Sequence, residues 1–427
     1  MWAKLFILVS AIVVALAACT QDPTIRPNPA APGAAQGSVL SDILLLGTEE
    51  GPVAVSLATG TVVVEGTGAV AGPDGSRLYS ASTDGRDTVL ETTDAATGWV
   101  LSSIRVRGEL DVRAVSGTGR AIVLMEPLPK GVDAWTPIPR SHTTIVVADP
   151  TGARESRRYR LDGNFEPEAF SVEDSRLFLI QYLPAEAPAA YRVTVLDLID
   201  GDVRQVFGRF KTPPERMPGI RLRQELAPDG RQLYTLYTNE PGAYARDVRS
   251  WSYGDEEVSF VHVLNLRRGW AYCAGLPREL WGQPASAQAI ASSPDGRLLY
   301  IVDSVKGLVA VMDTRTLEIL RTEAVELGSL GGVRTSAQMS ADGDTMFIGS
   351  VADGSALYAI DTSTLDVVHR WPLRGVVSGL GLSGDGLRLY AALDDRVAVL
   401  DPATGEELAA VPFFGVESIV QVGTLAA

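Results

Sequence analysis

The stretch Pro294-Asp295-Gly296-Arg297-Leu298-Leu299-Tyr300, followed by Asp313-Thr314-Arg315-Thr316, decides how the rest of the chain reads. A hydrophobic strand runs into an Asp-Gly turn, and a second strand leaves it through Leu-Tyr. An alternating strand then meets an Asp-x-x-Thr turn. Asp suits such a turn because its side chain caps its own backbone, and Gly because it accepts positive φ. Working outward, the first hairpin returns at Pro73-Asp74-Gly75, Pro228-Asp229-Gly230, Ala341-Asp342-Gly343 and Gly384-Asp385-Gly386, with degenerate copies at Gly117-Thr118-Gly119 and Glu173-Asp174-Ser175. The second returns at Asp94-Ala95-Ala96-Thr97-Gly98, Asp149-Pro150-Thr151-Gly152, Asp197 to Gly201, Asn265 to Gly269, Asp361-Thr362-Ser363-Thr364 and Asp401-Pro402-Ala403-Thr404-Gly405. Helical periodicity is essentially missing.

Two hairpins per unit, recurring at roughly 45–65 residues, describe four-stranded blades of an all-β propeller. Ile43-Leu44-Leu45-Leu46 and the hairpin around Thr59-Gly60 supply three strands at the start, and Val416 to Val422 supplies one at the end. Pairing that C-terminal strand with the N-terminal strands makes a composite blade and hides the edges an open sheet would expose. Eight blades are expected, or seven if the irregular region 165–285 holds one fewer. The S-P-D-G-R-x-L-Y and D-T-x-T-L patterns resemble YVTN-type propeller repeats, and the D-A-A-T-G and D-P-A-T-G turns resemble quinoprotein-like repeats. The resemblance implies the fold and leaves the activity open.

Residues 1–18 read as a signal segment. Lys4 is followed by an apolar run, Leu5 to Leu16, that is short for a membrane span. Leu16-Ala17-Ala18-Cys19 resembles the bacterial lipobox, which implies cleavage before Cys19 and lipidation of its thiol. The expected address is extracytoplasmic, anchored by lipid to the cell membrane, or to the outer membrane in a cell with two. Residues 19–40 are rich in Pro, Ala and Gly and read as a tether; residues 41–427 then form one propeller domain. Cys273 is the remaining thiol, so no internal disulfide is expected.

With 37 basic against 52 acidic residues the net charge is −15, which argues against nucleic acid as a partner. Among 46% hydrophobic residues there is ample material for a large core. The three histidines, His142, His262 and His369, are far apart and carry no metal-ligand spacing, and no nucleophile elbow or phosphate loop is present. No catalytic residue, metal or cofactor is assigned on these grounds.

Turns within hairpins belong on one face of a propeller and the links on the other. The insertions 126–141, 183–190, 208–223, 239–257 and 271–286 all fall on the link face, where long loops on a rigid frame tend to carry binding groups. They bring together Trp135, Arg140, Arg216, Arg221, Arg223, Tyr244, Arg246, Trp251, Tyr253 and Trp281 as a candidate ligand or partner face. The short links instead carry Glu49, Glu50, Asp84, Asp303, Asp353 and Asp394, so the face is expected to be basic and aromatic on one side and acidic on the other. The competing reading is that the aromatics pack the insertions onto the blades. A monomeric, non-catalytic binding or scaffolding module follows, with an envelope protein or an anionic or sugar-like ligand as partner. The alternative is a lactonase-like hydrolase or a quinoprotein-like enzyme. Leu101 and Leu408 stand where the quinoprotein pattern has tryptophan.

Overall fold

A computed structural model of the chain describes residues 42–48, 51–57, 59–65, 69–129, 132, 136–210, 217, 220–238, 259–281, 287–327, 335–350 and 356–424. Cys19, the signal segment and the tether lie outside the described residues. Residues 39–427 belong to one compact unit.

The turn chemistry read from the repeat is what the backbone adopts. Asp295 Oδ1 accepts from the Arg297 amide and the Ser293 hydroxyl, and Gly296 takes φ +69°. In the following turn Asp313 Oδ1 accepts from the amides of Arg315 and Thr316. These hydrogen bonds hold both carboxyls below their ordinary range. Each turn therefore fixes the register of the strands that flank it.

Eight sheets result, antiparallel but for one edge strand. Blade 2 comprises Val70–Ala71, Arg77–Asp84, Asp87–Asp94 and Val100–Arg107; blade 3 comprises Asp111–Val115, Ile122–Met125, His142–Ala148 and Arg157–Asp162. Blade 4 runs Asn164–Phe170, Arg176–Leu183, Ala190–Asp197 and Val203–Gln205, and blade 5 runs Ile220–Leu226, Gln232–Thr238, Ser259–Asn265 and Trp270–Gly275. Blades 6, 7 and 8 begin at Gln288–Ser292, Thr335–Met339 and Gly379–Leu382 and keep the same order. Blade 1 is the composite: Val416–Thr424 is its innermost strand and pairs with Asp42–Thr48, Leu44 opposite Val422 and Gly47 opposite Ser418. The ring has eight blades and closes as the sequence implied. Helix among the described residues is confined to the 3-10 turn Arg278–Leu280 and the single 3-10 residue Ala287.

The core is divided. Apolar side chains collect between successive blades, in layers such as Val123, Ile145, Phe165 and Leu179 between blades 3 and 4, or Tyr234, Val261, Ile290 and Leu299 between blades 5 and 6. Each layer removes two sheet faces from water, so every blade needs both neighbours.

Blade 5 departs from the pattern. Phe207–Gly208 joins it as a fifth strand, parallel to Trp270–Gly275. Part of the 208–223 insertion, expected as a link-face loop, is thus spent on the outer edge of the blade.

Candidate functional site

Each innermost strand enters from the preceding link, so its first residues stand at the link-side mouth of the central channel. In blades 3, 4 and 5 these strands are irregular. Their pairing breaks between Val112 and Ala114, between Pro167 and Ala169, and between Arg221 and Arg223. The innermost strands of blades 6, 7 and 8 pair without a break. A bulge adds a residue and re-aims its neighbours, and here the residues concerned are charged: Arg113, Glu166, Glu168, Arg221 and Arg223.

They form two linked clusters. Arg140 Nη1 lies 2.8 Å from Glu166 Oε2, and Arg113 Nε lies 3.8 Å from Glu166 Oε1. The side chains of Arg113, Arg140 and Glu166 are 8%, 14% and 5% exposed, so the ions are held largely out of water. Burial pulls the Arg113 guanidinium below its ordinary value, with Glu166 opposing the shift. In the second cluster Arg221 Nη1 is 2.5 Å from Glu168 Oε2, while Gln224 Nε2 and the Thr235 hydroxyl donate to Glu168 Oε1 at 3.0 and 3.4 Å. Burial works against the charge of Arg221, and the Glu168 carboxylate outweighs it, leaving the guanidinium above its ordinary value. Tyr182, buried beside both clusters, has its hydroxyl pushed up to about 12 by burial.

The rim above is knitted by Asn164. Its Nδ2 donates to the carbonyls of Ile138 at 2.5 Å and Ala185 at 3.0 Å, and the Arg140 amide donates to the same Ala185 carbonyl. Behind the rim, Tyr191, Tyr237 and Phe260 stack with centroids 5.1 and 5.2 Å apart. The Tyr191 and Tyr237 hydroxyls are buried without a hydrogen-bond partner among the described residues.

Of the residues singled out in the sequence, Arg140 stands at this rim. Arg221 and Arg223 belong to the innermost strand of blade 5 rather than to a link; Arg221 is buried against Glu168, and Arg223 Nη2 donates to the Thr335 carbonyl at 3.1 Å. Their charge is therefore turned inward, which corrects their expected place on the basic side of the link face. Arg209 lies at the outer edge of blade 5 between the rings of Phe210 and Trp270, at 4.4 and 4.6 Å. Trp281 is half-buried, its indole N–H donating to the Leu276 carbonyl at 3.1 Å and Arg278 lying over its ring. That is the packing role of the competing reading. Trp135, Arg216, Tyr244, Arg246, Trp251 and Tyr253 lie outside the described residues. On the acidic side Asp303 is fully buried, accepting from the amides of Val305 and Lys306, so it adds no surface charge.

Arg113, Glu166, Glu168, Asn164 and Gln224 were missed by reading loops alone. The available signal was the pair of glutamates two apart in Asn164–Phe170 and the pair of arginines two apart in Ile220–Leu226, each the first strand of its blade. Among the described residues no group of three or more His, Cys, Asp or Glu side chains could hold a metal ion.

No family model and no curated protein matches the chain. Solved structures share its fold. Dihydro-heme d1 dehydrogenase NirN in complex with DHE is 16% identical with a TM-score of 0.55, over 93% of this chain and 78% of that one. Apo AztD from Citrobacter koseri is 9% identical with a TM-score of 0.52, over 90% and 97%. Sqt1 of Saccharomyces cerevisiae is 13% identical with a TM-score of 0.50, over 82% and 85%. At such identities the likeness speaks for the propeller and not for a shared activity.

Proposed function

We propose that the protein is a lipid-anchored, extracytoplasmic binding module that presents its link face to an envelope partner or an anionic ligand. The observation that carries this reading is a coincidence of place. The innermost strands whose bulges carry buried ion pairs and the long links both fall on blades 3 to 5; the innermost strand of blade 1 is bulged as well, but the links beside it are short. A frame that needed only stability would fill those strands with apolar residues, because buried ion pairs gain little over packed hydrophobes. The lipobox-like Leu16-Ala17-Ala18-Cys19 supports the anchor.

Crosslinking in intact cells, followed by mass spectrometry of the membrane fraction, tests both parts. Cys19→Ser is expected to move the protein to the soluble fraction. Trp251→Ala combined with Tyr253→Ala is expected to remove the crosslinked partner while leaving the protein folded. Membrane retention of the Cys19→Ser chain would sink the anchor, and an unaltered crosslinking profile would sink the loop face.

A further inference from the structure

A guanidinium carries five N–H donors in a planar fork. At the channel mouth, Arg113 donates from Nη2 to the Glu126 carbonyl at 2.9 Å, and its Nε has no hydrogen-bond partner among the described residues. Arg140 uses Nη1 alone, shared between the Phe165 carbonyl at 3.2 Å and Glu166 Oε2 at 2.8 Å. One carboxylate therefore faces two largely buried forks, and the Nε of Arg113 is left without a hydrogen bond among the described residues. Glu166 Oε1 and Asn164 Oδ1 are likewise buried without a hydrogen bond among the described residues. Asp111, half-buried at the start of the same strand, is the other acid that acts on Arg113. Leaving a charged donor with only a long ion pair and no hydrogen bond away from water is costly, and here it occurs at a bulge that turns Arg113 out of the regular pleat.

We infer that the link-side channel mouth binds a small carboxylate-bearing molecule between Arg113 and Arg140, with Glu166 as the built-in competitor that sets its affinity. The acceptor already between the two forks is planar and offers one oxygen to each, so a second planar carboxylate suits them better than a tetrahedral oxyanion. Asn164 holds the two link segments that frame the opening, which positions Arg140 by its own backbone. The inference rests on the binding reading above and names the ligand class for one part of that face.

Calorimetric titration of the full chain in detergent with succinate, at ionic strength held constant by chloride, tests it. Saturable binding is expected, tightened about tenfold or more by Glu166→Gln, which frees both forks. Arg140→Gln added to Glu166→Gln removes one charge of each sign, so the fold is kept, and should reverse that gain. Arg113→Lys keeps the charge but loses the fork, and should weaken binding about tenfold. The proposal is overturned if Glu166→Gln binds succinate no tighter than the parent, or if inorganic phosphate binds as tightly as succinate. Because the titration reads the mouth alone and the crosslinking reads the loops, failure of one is distinguishable from failure of the other.

Discussion

His262 sits mid-strand in blade 5, opposite Thr235 on one side and Cys273 on the other, fully buried and with no partner for Nδ1 among the described residues. It is a structural residue whose Nδ1 is left without a hydrogen bond among the described residues. Burial lowers its pKa from 6.5 to about 4. A base whose folded value is depressed favours unfolding once protons are available. Its contribution is therefore complete above pH 6.5 and is lost as the pH falls from there toward 4, by about 3 kcal/mol at most. His262→Leu should flatten the dependence of unfolding free energy on pH in that window, by about one proton at pH 5. Urea melts at pH 7 and pH 5 measure this, and equal slopes for parent and variant would contradict the assignment.

At the scale of a single turn, similar backbone shapes are reached by different chemistry. The second hairpins place Gly98, Gly201, Gly269 and Gly405 at positive φ, and Leu317 and Leu365 do the same job at +64° and +65°. Both leucines are buried between blades, so packing offsets a left-handed strain of about 1–2 kcal/mol. Conversely, Asp174 takes φ +56° where the other first hairpins have Gly, which is why that copy looked degenerate. The surroundings of these turns set their tolerance. A Cβ on Gly405 would lie 2.2 Å from the Trp371 ring, whereas one on Gly60, at similar φ, meets nothing within 4 Å. Gly405→Ala should cost at least about 2 kcal/mol more than Gly60→Ala, read as the difference in thermal midpoint. Equal midpoints would mean that the contact between blades 7 and 8 is looser than described.

For the whole molecule the decisive contact joins the ends of the chain. Asp42 is fully buried, and its carboxylate takes the Tyr390 hydroxyl and stands 3.4 Å from Arg388, across the boundary between blades 8 and 1. Tyr79, in the equivalent Leu-Tyr position of blade 2, reaches only a backbone carbonyl, that of Gly119 in the next blade. Ring closure is thus held by an ion where another seam uses a neutral hydrogen bond. Asp42→Ala leaves the buried Tyr390 phenol without its acceptor, while Arg388 keeps Asp385 at 2.8 Å, and should cost about 1–3 kcal/mol. The check is the urea midpoint at unchanged slope, with Asp229→Ala, an exposed turn residue, as control. Midpoints that shift equally would show that closure rests on strand pairing alone.

The sequence by itself determined the wheel: turn residues and alternating strands are local signals, and three strands at the start with one at the end leave closure as the arrangement that completes a blade. Eight blades, the composite blade and the near-absence of helix were all legible in this way. Only the tertiary structure decided where charge goes. Arg221 reads as a surface cation until Glu168, fifty-three positions away, is brought 2.5 Å from it. Phe207–Gly208 is too short to announce a strand, and Asp303 looks like a surface acid until its turn folds over it. Local propensity acts over neighbouring residues and can be read along the chain. The partner of a buried ion is set by which blades become adjacent, and that follows from closing the ring.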